Sequence, residues 1–218
     1  MMGMLPSASL LLAAASPLPV PQRAIAPVVS PAWSDEASRD RVGEARDVIR
    51  LAGIRPGMTV ADIGAGGGYY VMRLAPVVGP RGRVLAQDID AGTLLQLQRR
   101  VTKAKLRNVT TILGNAGNAR LPVGSTDVAL MVHMYHEIAQ PYHLLDRLRT
   151  SLRQGGRVVV VDIDRPSEQH GMPKALLVCE VKAVGFDLVN ITDITQGYVA
   201  VFRPGKRPAP ASVKACRA

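Results

Sequence analysis

The chain has 218 residues, 47% hydrophobic and 20% charged, which is enough to bury the core of one ordinary domain without disulfides or metals. That apolar fraction excludes an intrinsically disordered chain, and the 20 glycines and 16 prolines follow no collagen-like period. Lys and Arg (27) exceed Asp and Glu (17) by 10, and the excess is concentrated at 99–107 and 203–217. Such segments are typical of surfaces for nucleic acid or anionic membranes, but also of a solvated helix face and a disordered tail.

The first twenty residues carry no charge. An apolar stretch at 10–15, small residues at Ala13 and Ala15 and a proline-rich exit resemble the hydrophobic and cleavage regions of a secretory signal peptide. No Lys or Arg precedes the stretch, and prolines make it too short for a transmembrane helix. We therefore expect residues 1–33 to be a leader and a Pro/Ala-rich linker, and the protein to be exported to the periplasm. If the leader is not a functional signal, the protein is cytoplasmic.

From Ser34, which is expected to cap the first helix, short apolar segments alternate with helical patterns. The predicted strands are 59–63, 83–86, 109–113, 128–132 and 158–161, and the later predicted helices include 93–104, 141–152 and 173–184. Such alternation predicts βαβ units and a mainly parallel sheet. Segments 186–191 and 198–202 are too close for a helical crossover, so they should form an antiparallel hairpin. The predicted fold is α/β: a Rossmann-like, doubly wound, mainly parallel seven-stranded sheet that ends in an antiparallel β-hairpin.

The two cysteines are Cys179 and Cys216. They show no metal-ligand spacing, and two cysteines exclude a disulfide scaffold. We expect no metal, and the cysteines alone say little about compartment.

A glycine cluster follows the first predicted strand, with the spacing Asp62-x-Gly64-x-Gly66-x-Gly68. Glycines there let the backbone approach a ligand, and the next helix offers unpaired N–H groups to an anion. The dinucleotide fingerprint G-x-G-x-x-G fails, because Tyr69 stands at its third glycine position.

This spacing resembles the first motif of class I S-adenosylmethionine-dependent methyltransferases. Further matches follow in order: Arg55-Pro56-Gly57, Asp88, Gly114-Asn115-Ala116, Ser125-Thr126-Asp127 and Leu152-Arg153-Gln154-Gly155-Gly156. The resemblance covers residues 34–203, which we take as the methyltransferase domain, and leaves 204–218 as a basic disordered tail. The Tyr135-His136-Glu137 segment is similar to a subset of small predicted methyltransferases that often carry export signals.

The resemblance implies a cofactor, S-adenosyl-L-methionine, across the carboxyl ends of the strands. The cofactor-binding residues it implies are Asp62, Gly64, Ala65, Gly66, Gly68, Asp88, Ile89, Asn115, Ala116 and His133. The loop would face the methionine portion, and Asp62 would help hold its amino end. Asp88 would accept hydrogen bonds from the ribose hydroxyls. Asn115 stands where Asp is commoner, and its amide oxygen still accepts a bond from the adenine amino group.

The predicted catalytic residues are Tyr135, His136 and Glu137, which follow the fourth strand where the transferred methyl should point. A base is needed only if the acceptor arrives protonated. His136 and Glu137 are the candidates for that base, and Tyr135 would shape the pocket. Glu137 capping a helix and His136 satisfied at a strand end are the structural alternatives.

The predicted function is methyl transfer to a small-molecule acceptor, because no separate substrate domain fits between the motifs. The alternatives are a non-catalytic protein that binds S-adenosylmethionine or S-adenosylhomocysteine, and a nicotinamide-dependent oxidoreductase. Nucleic acid is not an expected partner, and the oligomeric state is open.

Overall fold

A computed structural model describes residues 18–28 and 35–217. Its strands are β1 (Thr59–Ile63), β2 (Arg83–Asp88), β3 (Val109–Leu113), β4 (Thr126–Val132), β5 (Leu152–Asp162), β6 (Phe186–Ile194) and β7 (Gly197–Pro204). Its α-helices are α1 (Glu36–Arg41), α2 (Glu44–Leu51), α3 (Tyr69–Val78), α4 (Ala91–Lys103), α5 (Pro141–Ser151) and α6 (Lys174–Ala183). Short 3₁₀ segments lie at Tyr135–Glu137, Ser167–Gln169 and Pro210–Ser212.

The seven strands form one sheet in the order β3-β2-β1-β4-β5-β7-β6. The first five pair in parallel, and β7 pairs antiparallel with both β5 and β6. The strand order reverses beside β1, which is where open α/β sheets bind ligands at the carboxyl ends of their strands. The predicted fold class and the closing hairpin are confirmed.

Apolar side chains cover the sheet on both faces, as parallel strands require. One buried cluster joins the sheet to α5 and α6, and the other joins it to α2, α3 and α4. Every residue of β1 is buried. The carboxyl end of β1 is therefore a rigid support for the glycine loop.

The first predicted helix is two helices. Gly43 adopts φ +70°, a left-handed conformation that separates α1 from α2. Asp35 caps α1 through the backbone N–H of Ser38, whereas the predicted cap, Ser34, lies outside the described residues.

The C-terminal tail, for which disorder was predicted, makes contacts with the domain in the structure. Arg207 pairs with Asp146, and the backbone N–H of Cys216 donates to the Tyr142 hydroxyl at 2.8 Å. A disulfide joins Cys179 of α6 to Cys216. Charge and proline content indicated disorder, but these tertiary contacts fix the tail.

Residues 18–28, assigned to the leader and linker in the sequence, pack against the domain. The Arg23 side chain is buried and its Nε lies 3.1 Å from Oε1 of Glu180. Its terminal nitrogens donate to the backbone carbonyls of Tyr135 and His136. The expected leader itself, residues 1–17, lies outside the described residues. Among the helices that the structure describes, none has the length and apolarity to cross a membrane.

Candidate functional site

A cavity of about 680 Å³ opens at the carboxyl ends of β1, β2 and β4. Its volume lies within the range of about 300–1,000 Å³ that is usual for small-molecule and cofactor sites. The sequence-predicted residues on its wall are Gly64, Ala65, Gly66, Asp88, Ile89, Asn115, Ala116, His133 and Glu137. Residues from the four loops that follow β1, β2, β3 and β4 are thus brought together, as the sheet topology requires.

The glycine loop forms one wall. Gly64 and Gly66 adopt φ +69° and +51°, and an added Cβ at Gly64 would press on the Met134 side chain. Gly68, also predicted to bind cofactor, is not part of the wall. It is the N-cap of α3, and a Cβ there would collide with Leu97 of α4. The packing of α4 against this turn therefore accounts for the third glycine.

Asp88 ends β2 and faces the cavity. Its Oδ2 accepts a hydrogen bond from the Gly66 N–H at 2.9 Å, so the carboxylate also orients the glycine loop. Its Oδ1 accepts from the backbone N–H groups of Ile89 and Asp90. Oδ2 can therefore accept one more hydrogen bond from the cavity, whereas Oδ1 already accepts two.

Ile89, Asn115 and Ala116, which were predicted to bind the cofactor, line the cavity. Ile89 lines the cavity and is 51% exposed. Asn115 begins a tight turn, in which its Oδ1 accepts from the Gly117 N–H at 3.2 Å. Ala116 follows it on the wall.

Asp62 lies on β1 beneath the loop rather than on the cavity wall, and it is 3% exposed. Burial raises its pKa to about 7; the Arg39 guanidinium opposes the rise and the Asp88 carboxylate adds to it. The Asp62 carboxyl group therefore titrates near neutral pH, whereas an ordinary aspartate titrates near pH 4.

His133 begins the loop after β4 in a left-handed conformation, φ +51°. Its Nε2 lies 3.5 Å from Oε2 of Glu44 on α2. Burial opposes ionisation of Glu44, but hydrogen bonds from His133 and Arg39 outweigh it and lower the pKa of Glu44 to about 2. Glu44 is therefore ionised at neutral pH and lies beside the His133 ring.

Of the three predicted catalytic residues, only Glu137 lies on the cavity wall. Tyr135 is fully buried beneath it, and His136 is 1% exposed. The Nδ1 of His136 lies 2.9 and 3.0 Å from the two carboxylate oxygens of Asp162 at the end of β5. Catalytic roles for these three residues stay predictions.

Sequence reasoning missed the contribution of α1. Glu36 and Arg39 both line the cavity. The Arg39 guanidinium lies 3.8 Å from the centre of the Tyr69 ring, and its Nη2 is 2.5 Å from Oε1 of Glu44. No local motif marks these residues, because only the packing of α1 on α3 brings them to the site. Val28, taken as linker, also reaches the wall.

Residues 60–156 match the family described as "Methyltransferase domain". The ubiquinone/menaquinone biosynthesis C-methyltransferase UbiE of Ectopseudomonas mendocina is 30% identical over 122 residues, 56% of this chain and 48% of that protein. The arsenite methyltransferase of Halobacterium salinarum is 27% identical over 155 residues, 69% of this chain and 40% of that protein. The chain thus spans about half the length, or less, of these curated relatives.

A solved structure described as a SAM-dependent methyltransferase from Aquifex aeolicus shares the fold, with a TM-score of 0.70 and 21% identity. The match covers 78% of this chain and 97% of that one. The fold, the cavity and the matched region are therefore similar to those of class I S-adenosylmethionine-dependent methyltransferases.

The site fits the cofactor of this class, S-adenosylmethionine. Beside β1 the wall is the backbone of Gly64 and Gly66, so no side chain fills the cavity there. The carboxylate of Asp88 lies at the end of β2. Asn115 lines the cavity and has an amide oxygen, one lone pair of which accepts the hydrogen bond of the local turn.

Proposed function

We propose that this protein transfers the methyl group of S-adenosylmethionine to a small apolar or hydroxylated acceptor. The observation that carries the proposal is the convergence of the glycine loop, Asp88 and Asn115 on one cavity of about 680 Å³. S-Adenosylmethionine supplies a methyl group that its sulfonium already activates for displacement. The protein therefore has to orient two reactants and exclude water.

In this proposal one half of the cavity holds the cofactor and the other half holds the methyl acceptor. Asp88 binds the ribose hydroxyls while its other bonds hold the Gly66 backbone in place. Ile89 packs beside the adenine, and Asn115 accepts from its amino group. Because Asp88 serves both ligand and loop, its loss affects binding more than a single contact would.

The acceptor half lies beside the loop after β4. Its wall includes the apolar side chains of Met134, Ile138 and Leu144, together with the carboxylate of Glu137. Such a surface suits a small, largely apolar molecule with one polar group. If that group arrives protonated, it loses a proton as the new bond to the methyl carbon forms, and Glu137 is the nearest predicted acceptor for it.

Two observations favour a small molecule of this kind over other acceptors. In the basic segment 99–107, Arg100 is already paired with Glu36 and bonded to the Gly67 carbonyl, so its charge serves the fold. Both cysteines are joined in the disulfide, so they offer no thiolate to a soft metalloid such as arsenite.

The first test is calorimetric titration of the full chain with S-adenosylhomocysteine, with NAD as the control ligand. We expect saturable binding of S-adenosylhomocysteine alone. In this proposal Asp88→Asn removes the negative charge that strengthens the ribose hydrogen bonds, each worth about 1.5–3 kcal/mol when charged. The affinity for S-adenosylhomocysteine should therefore fall at least about tenfold. Asp187→Asn, an exposed position on β6, is the matched control and should bind as the parent does.

Binding of neither ligand would contradict the proposal, and binding of NAD would favour an oxidoreductase. Turnover is tested separately, by following S-adenosylhomocysteine release from S-adenosylmethionine with a panel of phenols, quinols and amines. Binding without release for any acceptor class would support the non-catalytic alternative.

We also propose that the protein is exported. The Cys179–Cys216 disulfide supports this, because such bonds persist in oxidising compartments and are rare in the cytosol. The packing of residues 18–28 is compatible with removal of the preceding leader near Ala15, since the buried Arg23 is retained. Mass spectrometry of the protein recovered from cell fractions tests both points. A periplasmic chain that begins near residue 16, with no free thiol, is expected; a full-length, reduced cytoplasmic chain would contradict export.

A further inference from the structure

Three metal-ligating side chains converge beside the cavity, and the function proposed above does not use them together. His136 and Glu137 lie in the 3₁₀ segment after β4, and His170 follows the segment after β5. One ligand atom from each lies within 4.8 Å of the others. The His136 and His170 rings meet edge to face, with centroids 5.6 Å apart.

His136 is oriented as a ligand would be. Nδ1 of His136 lies 2.9 Å from Oδ2 of Asp162, so in the tautomer with the ring proton on Nδ1 the ring donates to this carboxylate. Nε2 then carries a lone pair. That atom is buried and has no hydrogen-bond partner among the described residues. A buried acceptor without a partner is costly, and a cation would satisfy it.

A carboxylate behind a histidine is the arrangement that fixes ring orientation in metal sites and raises the basicity of the ligating nitrogen. Here Asp162 is itself held, since its Oδ1 accepts from the Ile163 N–H at 2.9 Å. The contacts that hold His136 and Asp162 in position are therefore already present without a bound ion.

The donor set selects the class of cation. Two imidazole nitrogens and one carboxylate oxygen suit zinc and the neighbouring first-row transition metals rather than magnesium or calcium. Metal–ligand bonds of about 2.1 Å put the ligand atoms of a tetrahedral site roughly 3.4 Å apart. His136 Nε2 and Glu137 Oε1 are 3.9 Å apart, so small side-chain rotations would close the set.

We propose that His136, Glu137 and His170 bind one divalent transition-metal ion, with Asp162 as the positioning residue behind His136. The sequence analysis predicted no metal, because the histidines are 34 residues apart and only the fold joins them. Three protein ligands leave a fourth position open, as in catalytic rather than structural zinc sites. Glu137 connects the ion to the cavity wall. Metal binding can be tested without methyl transfer, although Glu137 takes part in both proposals.

The test uses the untagged full chain, stripped with a chelator and titrated with ZnCl₂ by calorimetry and with CoCl₂ by visible absorption. One ion per chain is expected, and the cobalt complex should show the intense bands of a four- or five-coordinate site. His170→Ala should abolish stoichiometric binding. Asp162→Asn should lower affinity about 10–100-fold and shift the cobalt spectrum.

His143→Ala is the matched control, because His143 lies on α5 outside the cluster, and it should bind as the parent does. Circular dichroism verifies that each variant folds, and Glu137→Gln replaces His170→Ala if the latter does not. No stoichiometric binding by the parent chain would overturn the proposal. Equal losses in the His170 and His143 variants would overturn it too, since binding would then be nonspecific.

Discussion

Replacement of Arg23 by methionine tests whether residues 18–28 are part of the folded domain. The Arg23 and Glu180 side chains are 1% and 0% exposed, and Nε lies 3.1 Å from Oε1. Two further hydrogen bonds, of 3.0 and 3.1 Å, run from Arg23 to the carbonyls of His136 and Tyr135. Arg23→Met keeps most of the side-chain volume but removes all of these bonds.

Removing one partner of a buried ion pair costs about 3–5 kcal/mol, because the other charge is left without compensation. Burial already raises the pKa of Glu180, and without Arg23 the carboxyl would take up a proton, which keeps the cost within that range. Against a total stability of about 5–15 kcal/mol, the variant should fold but be markedly less stable.

The assay is urea denaturation at pH 7 of the parent, Arg23→Met, Glu180→Gln and the double variant. The double variant should lose clearly less than the sum of the two single losses, because the second substitution removes a charge that has no partner. Arg207→Met, which breaks the exposed pair with Asp146, is the control and should cost no more than about 1 kcal/mol. Equal losses for Arg23→Met and Arg207→Met would refute the reasoning.

Three further predictions concern stability. Gly68→Ala should cost about 2–4 kcal/mol in urea titrations, because its Cβ strikes a leucine of α4 and φ is +87°. Gly57→Ala, at φ +86° with open space around it, should cost only about 1 kcal/mol, and equal costs would refute the packing argument. Reduction of the Cys179–Cys216 disulfide, which spans 37 residues, should lower stability by about 3–4 kcal/mol in the chain-entropy model; no change in the midpoint with reductant would count against it. In the folded protein Asp62 keeps its proton up to about pH 7, whereas in the unfolded chain it loses the proton near pH 4. The free energy of unfolding should therefore fall as the pH rises between these values. The total fall is up to roughly 4 kcal/mol, at about 1.4 kcal/mol per pKa unit. Asp62→Asn should flatten that slope, and an unchanged pH profile would show that Asp62 is not its source.

The sequence predicted the sheet and the cofactor side of the cavity because both depend on local patterns. Continuous apolar strands, the glycine loop and Asp88 each follow from a few neighbouring residues, and the rule that ligands bind at the carboxyl ends of strands places them together. The closing hairpin followed from the short separation of its strands.

The remaining features depend on contacts between distant segments. Arg23 lies 157 residues from Glu180 in the sequence, and the Cys179–Cys216 bond needs the tail to return to α6. Composition alone indicated a linker and a disordered tail there. Likewise, the burial of His136 behind the cavity depends on Asp162 at the end of another strand.

The pairing of the two ends of the domain has a consequence for how the chain is made. Gln22 forms a parallel β-bridge with Arg217. Arg23 donates hydrogen bonds both to Glu180 of α6 and to the Tyr135 carbonyl in the loop after β4. The ribosome makes the N-terminal partner of each contact long before the C-terminal one. These contacts of large sequence separation therefore close late, so this part of the fold is completed only when nearly the whole chain has been made. Such late completion is compatible with the export proposed above, because a translocation channel passes unfolded polypeptide.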